Sequence, residues 1–339
     1  FNFLPAFIVG TAVANTISKT VNMAELPSVA AGAVPYGVRV TLAALIGAIF
    51  WNYFTWHRGL PSSSSHALMG GLVGAGLAAA GTAGVNWSIM RDVAIAIVAS
   101  PLTAFAIAVA AVLVIRVLQR LLSLEEDHVV FQIGQIASSC WVSWGHGSND
   151  AQKTMGIVAA TLFAGGYLHA SDAAHLEPPT WVVFGAHAAI ALGTLYGGWS
   201  IIETLGLKIT RVTRASGLGA NIGAIAAIEG ATNVGIPIST TQAVSSSIVG
   251  SGVGVRRLVH WRILVDMGIA WTVTMPAAGA IGFAVFELTA LPGALAVGAT
   301  ALAIAALLAY AVYLMRHAVS EADIEAELPS EESLAVAGG

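Results

Sequence analysis

Charge is scarce in this sequence. Only 9% of its 339 residues are Asp, Glu, Lys or Arg, against roughly 25% in soluble domains. With 57% hydrophobic residues, the chain has more apolar surface than a compact soluble domain can bury, because too little of such a domain is interior. A water-soluble globule is therefore excluded. Cysteine is nearly absent: Cys140 stands alone and closes no internal disulfide, so it reads as a small apolar residue and does not report a redox compartment. No cluster of basic residues marks a nucleic-acid surface. The net charge of −4 owes much to Glu321–Glu332, which reads as the core of an acidic, disordered tail over 317–339.

What the chain has is long apolar runs. Val93–Val114 and Leu288–Met315 hold no charge, and a hydrocarbon core of about 30 Å needs about 20 apolar helical residues. The 37 glycines fit helices that approach closely in lipid. Spans are expected at 1–22, 38–57, 62–81, 91–117, 129–163, 180–206, 215–233, 237–254, 262–287 and 292–315. The fold class is all-α, a multi-pass protein of the lipid bilayer.

An internal repeat organises these spans. Gly59-Leu-Pro-Ser-Ser-Ser-Ser-His66 matches Gly235-Ile-Pro-Ile-Ser-Thr-Thr-Gln242, 176 residues on. The same register pairs Gly47-Ala-Ile49 with Gly223-Ala-Ile225, and Gly74 and Gly76 with Gly250 and Gly252. Basic residues near span ends orient the two copies. One side carries Arg116, Arg120, Lys208, Arg211, Arg214, Arg256, Arg257, Arg262 and Arg316; the other carries Lys19, Arg39 and Arg91. Taking the richer side as cytoplasmic places the tail there and inserts the two hairpins, 38–81 and 215–254, from opposite faces. Residues 1–120 and 129–316 then form two inverted-topology repeats, an architecture of secondary transporters with sites where the repeats meet. Phe1 opens inside an apolar run, and the offset puts the first-repeat counterpart of segment 129–163 before it. The first repeat is thus expected to be incomplete by about 45–50 residues.

Two constellations carry chemistry. Each hairpin tip has a Gly-x-Pro turn, then hydroxyls, then a Gly/Ser-rich apolar helix: Ser63, Ser64 and Ser65 in one, Ser239, Thr240 and Thr241 in the other. Ser and Thr cap helix N-termini, whose free N–H groups and positive partial charge suit an oxyanion. Plain N-capping explains one such tip, but helix packing does not ask for the same polar tip twice. The second constellation is Asn149, Asp150 and Gln152 within Gly145-His-Gly-Ser-Asn-Asp150, where two glycines beside polar residues predict a helix broken in mid-membrane. A carboxylate there needs a partner, and Asp150 and Asn149 are candidates to couple to Na⁺ or H⁺. Four further candidates are less defined. Lys153 either neutralises Asp150, touches the anion or snorkels to water. His66 either bonds an anion or caps locally. Its repeat mate Gln242 does not titrate, and Glu229 has Tyr53 as its mate. His57, His146 and His187 read as packing or interface residues.

These residues also resemble the PiT-type inorganic phosphate transporters. Trp51-Asn52, Thr55-Trp56, Gly59-Leu-Pro61 and Ser63-Ser-Ser-His66 are similar to that family's first hydroxyl motif, Gly235–Thr241 to its second, and His146-Gly-Ser-Asn-Asp-Ala-Gln152 to one of its two Asn-Asp motifs. The resemblance implies cotransport of phosphate with Na⁺ or H⁺ by alternating access, with phosphate contacts at Ser63–Ser65, Ser239–Thr241 and the Asp150–Gln152 region, and no resident cofactor. Three departures stand out: Gln242 where the family usually has His, Glu229 where a small residue is expected, and no first Asn-Asp motif. Sulfate on the same scaffold is the alternative substrate, and a channel-like scaffold is the alternative to a carrier. An intramembrane hydrolase built on Ser65, His66 and Asp150 is disfavoured, because adjacent residues on a helix turn rarely face each other. An enzyme is not expected. The plasma (inner) membrane is the expected location, and a homodimer is one of the oligomeric states the sequence allows.

Overall fold

The computed structural model describes residues 1–8, 10–28, 33–126, 128–168, 176–196 and 198–317. The acidic tail beyond His317 lies outside them. Among the described residues, all regular structure is helical apart from two isolated β-bridges. After a short 3₁₀ turn at Leu4–Phe7 come α1 (Ala12–Ser18), α2 (Tyr36–His57), α3 (Ser64–Ala80), α4 (Trp87–Leu122), α5 (Val129–Ala164) and α6 (Thr180–Tyr196). They are followed by α7 (Trp199–Glu203), α8 (Arg214–Asn233), α9 (Thr240–Gly254), α10 (Trp261–Thr289) and α11 (Ala294–Arg316). Among the described residues, five helices are long and apolar enough to cross a membrane: α2, α3, α4, α10 and α11. The protein is an integral membrane protein. Many large apolar side chains, such as Leu102, Leu121, Leu295 and Leu302, are exposed on it, as lipid contact requires.

The packing recurs with the period of the sequence. Helices α2 and α3 form one hairpin, α8 and α9 another. The helix that follows each hairpin packs on the other one: α4 on α8 and α9, α10 on α2 and α3. The bridge Val21–Val85 ties the chain before α2 to the loop after α3, and Thr210–Val259 does the same around α8 and α9. Close approach is what the repeated glycines supply. A Cβ on Gly74 would lie 1.9 Å from the Gly279 carbonyl oxygen of α10, and one on its repeat mate Gly250 would lie 2.5 Å from the Phe105 carbonyl oxygen of α4. Any side chain at these two positions would push the packed helices apart and weaken their dispersion contacts.

Three of the expected spans differ in form. Residues 1–22 make a 3₁₀ turn and a two-turn helix rather than one crossing. Residues 180–206 end a helix at Tyr196 and resume as α7, which widens into a π-helical turn at Thr204–Lys208. The break expected at Gly145–Asp150 is absent, and α5 runs unbroken through 36 residues, about 54 Å at 1.5 Å per residue. Asp150, Ser148 and Gln152 find partners without unwinding. The Asp150 carboxylate meets His146 four residues back and Lys153 three residues on, neighbours on a helix surface. Ser148 donates to the Gly145 carbonyl and Gln152 to the Ser148 carbonyl. The glycines serve packing instead: a Cβ on Gly147 would lie 2.2 Å from the Asn2 carbonyl oxygen.

Candidate functional site

Both hairpin tips are built alike. Gly59 and Gly235 turn the chain with φ of 60° and 72°, the left-handed region that L side chains avoid. Ser63 then caps α3 by accepting from the His66 amide at 3.2 Å, and Ser239 caps α9 by accepting from the Gln242 amide, also at 3.2 Å. Each turn is also held by a threonine from a distant element. Thr16 of α1 donates to the Gly235 carbonyl at 2.7 Å, and Thr204 donates to the Gly59 carbonyl at 3.1 Å. Trp271 of α10 adds a hydrogen bond from its indole to the Pro61 carbonyl at 2.8 Å.

The tips meet at α5. Ser65 donates to the carbonyl of Ile238, just before the second cap, at 3.1 Å. The Lys153 ammonium reaches into the junction and donates to Ser65 Oγ at 2.5 Å, to the Ile238 carbonyl at 2.6 Å and to Asp150 Oδ1. Asp150 Oδ2 accepts from Thr240 at 2.9 Å and faces His146 Nε2 at 3.1 Å. One carboxylate, one ammonium and the first residues of two helices thus close a single network. Lys153 is 3% exposed, so it does not snorkel. An ammonium this deep is tolerated because all three of its donors are used and a carboxylate neutralises it.

His146, expected to be a packing residue, belongs to this network. Its Nδ1 faces Asn2 Oδ1 at 3.3 Å, and the same oxygen accepts from Ser143 at 3.0 Å. The orientation of Asn2 follows from Thr194. That hydroxyl gives its proton to the Ile190 carbonyl, so it can only accept from Asn2, at 2.9 Å, which must present its amide nitrogen there and its oxygen to His146. Both ring nitrogens of His146 therefore face oxygen atoms, Asn2 Oδ1 and Asp150 Oδ2. Ser139, Ser143, His146 and Asp150 form one polar stripe along α5, exposed at Ser139 and almost closed at Asp150. The stripe borders a cavity of about 280 Å³ lined also by Asn2, Thr194, Thr240 and Thr241.

The other expected residues are distributed unevenly. Ser64 is exposed at its tip and Thr241 is half-buried in the cavity wall. His66 and Gln242 occupy matching buried positions, each with one unpartnered atom, Nδ1 and Oε1. Asn149, fully buried, donates to Thr232 at 2.8 Å and leaves its Oδ1 unpartnered. Gln152 is turned away from the tips. Its oxygen accepts from the Val13 and Ala14 amides at 2.8 and 3.3 Å, capping α1. Glu229 stands apart. It lines the larger cavity, about 560 Å³, with Cys140, Trp141 and Trp144, where no tip hydroxyl reaches.

Two capped helix starts and a buried ion pair thus meet at one place on α5. The profile of the phosphate transporter family matches residues 1–129 and 123–282. The chain belongs to the phosphate transporter family. Among curated relatives, a "probable low-affinity inorganic phosphate transporter" of Rhizobium meliloti (strain 1021) is 42% identical over 285 residues, covering 83% of this chain and 80% of that protein. A protein of the same description from Bacillus subtilis (strain 168) is 38% identical over 273 residues, covering 80% and 79%. Among solved structures, one described as "The sodium-dependent phosphate transporter" aligns with a TM-score of 0.68 at 24% identity, covering 85% of this chain and 87% of that one; it shares the fold. The family is one of transporters, not of enzymes. In this phosphate transporter family member, sequence reasoning missed Asn2, Ser143 and Thr194. The stripe at 139, 143, 146 and 150 carries a helical spacing that could have found Ser143. Asn2 and Thr194 have no local signal, since only the fold brings them to α5.

Proposed function

We propose that this chain carries inorganic phosphate across a membrane by alternating access, driven by a gradient of Na⁺ or H⁺. The observation that carries this reading is the junction of two capped helix N-termini at Asp150 and Lys153, beside a polar cavity. Helix starts offer N–H donors and positive partial charge to an oxyanion; Thr240 and Thr241 add hydroxyls to the wall of that cavity, and Ser64 adds an exposed one at the other tip. The names of the curated relatives support phosphate as the substrate, and the sodium dependence named for the structural neighbour supports cation coupling. The excess of Lys and Arg on the side of Arg116, Arg257 and Arg316 favours that side as cytoplasmic, with the repeats inverted and the plasma membrane as location. Asp150 and Asn149 are the residues proposed to respond to the coupling cation.

The test is uptake of radiolabelled phosphate by proteoliposomes holding the purified full chain, with Na⁺ and pH gradients imposed separately. Saturable, gradient-driven uptake is the expected result. Passive, non-saturating flux would instead point to a channel. Sulfate competing as well as phosphate would move the substrate assignment to a broader oxyanion.

A further inference from the structure

We propose that the larger cavity, between α5 and α8, is a binding site for a free organic ammonium ion with an apolar arm. The site is separate from the junction at Asp150, and the proposal stands whether or not the chain carries phosphate. The cavity holds about 560 Å³, a volume within the range of small-molecule sites. Three aromatic residues line it, Phe1, Trp141 and Trp144, together with Cys140 and, from α8, Glu229 and Asn233. Glu229 is the one acidic side chain of this wall. Its carboxyl meets the indole N–H of Trp141, yet its Oε1 is shut off from solvent and has no hydrogen-bond partner among the described residues. That oxygen lies against α5, where a Cβ on Gly145 would sit 3.3 Å from it. Among the described residues, no basic side chain or chain terminus forms an ion pair with Glu229.

Glu229 stands about four turns into α8 from Arg214. A carboxylate at such depth in a membrane helix is costly unless it is paired. An ammonium ligand supplies what the wall lacks. Its charge meets the carboxylate, and its N-alkyl groups meet the aromatic rings, which attract a cation through their negative faces. Other ligand classes fit less well. The carboxylate repels phosphate, so this cavity is not a second anion site. A hard metal ion takes roughly six to eight oxygen ligands, and this wall offers only a carboxylate and an amide from its side chains. A lipid headgroup is held at the membrane surface, several turns away, whereas a free ammonium ion is not.

Cys140 lines the cavity and is the only thiol of the chain, so its rate of modification reports what the site holds. In the detergent-solubilised full chain, trimethylammonium-ethyl methanethiosulfonate should modify Cys140 about tenfold or more faster than the sulfonatoethyl reagent of opposite charge, each rate taken relative to a free thiol in solution. Glu229→Gln should remove that preference. Benzyltrimethylammonium should slow the reaction of Cys140 with N-ethylmaleimide in a saturable way, and neopentylbenzene, its uncharged isostere, should not. Equal relative rates for the two charged reagents, or equal protection by the charged and uncharged ligands, would overturn the proposal, and neither result needs the variant to fold. A Cys140 that none of the reagents reaches would overturn it as well. Protection by a short-chain phosphatidylcholine but not by benzyltrimethylammonium would move the site to a lipid headgroup and overturn the free ligand assigned to it.

Discussion

Lys153 and Asp150 are each useful only in the presence of the other. The lysine side chain is 4% exposed and the aspartate 11%, so removing either leaves a charge where water does not reach. Losing one partner of a buried pair typically costs about 3–5 kcal/mol. Asp150→Asn and Lys153→Met should each lower stability by about that much, and the double variant should lose clearly less than the sum. Unfolding in detergent measures this, and strictly additive losses would show that the pair is not coupled. The neighbouring serines separate in the same way. Ser65→Ala removes the bond to Ile238 and one acceptor of the ammonium, at a cost of about 1.5–3 kcal/mol of stability. Ser64→Ala, on an exposed side chain, should change stability by no more than about 0.5 kcal/mol, yet weaken phosphate binding about tenfold if the hydroxyl meets the anion. Titration calorimetry with phosphate reads the second effect; unchanged affinity would leave Ser64 as a tip residue without a role in binding.

At the scale of elements, the hairpins and the extent of α5 are legible in the sequence, and the continuity of α5 is not. Gly-x-Pro followed by hydroxyls marks a helix start from local chemistry alone, and both caps form where that pattern puts them. Gly145-His-Gly-Ser-Asn-Asp150 carries an equally local signal for a break, and it fails. Side chains three and four residues apart satisfy one another on the helix, and Gly147 is required by the backbone of Asn2, which no local pattern reveals. The same distinction can be tested on packing. Gly74→Ala would place a methyl 1.9 Å from the Gly279 carbonyl, and such overpacking costs about 1–3 kcal/mol. Gly298→Ala, in exposed α11 with nothing within 4 Å, should be neutral or stabilise by up to about 1 kcal/mol. Equal thermal midpoints for the two variants would mean that the α3–α10 approach is looser than described.

At the scale of the whole molecule, neither half can be complete alone. Helix α4 belongs to the first half of the chain but packs on α8 and α9; α10 belongs to the second but packs on α2 and α3. Thr16 and Thr204 repeat the exchange at the tips. Cleaving the connection between α4 and α5, at Glu125–Glu126, should therefore leave the two fragments bound. They are expected to co-elute in gel filtration, and their separation in mild detergent would contradict the exchanged packing. Arg257, which donates to Glu126 at 2.6 Å, fixes that connection but adds little stability, since exposed ion pairs contribute about 0–1 kcal/mol.

Composition and repetition by themselves determined that this chain lives in lipid, is helical throughout, and carries the same polar tip twice, because hydropathy, helix capping and turn chemistry act over a few residues and leave their marks in order along the chain. The tertiary structure alone decided what those tips touch. Lys153 became a bridge rather than a snorkelling cation, His146 a partner of Asn2, and Gln152 the cap of α1, through contacts between residues up to 144 apart in sequence. A buried polar group takes whichever partner the packing brings within hydrogen-bond range, and packing is a property of the folded whole.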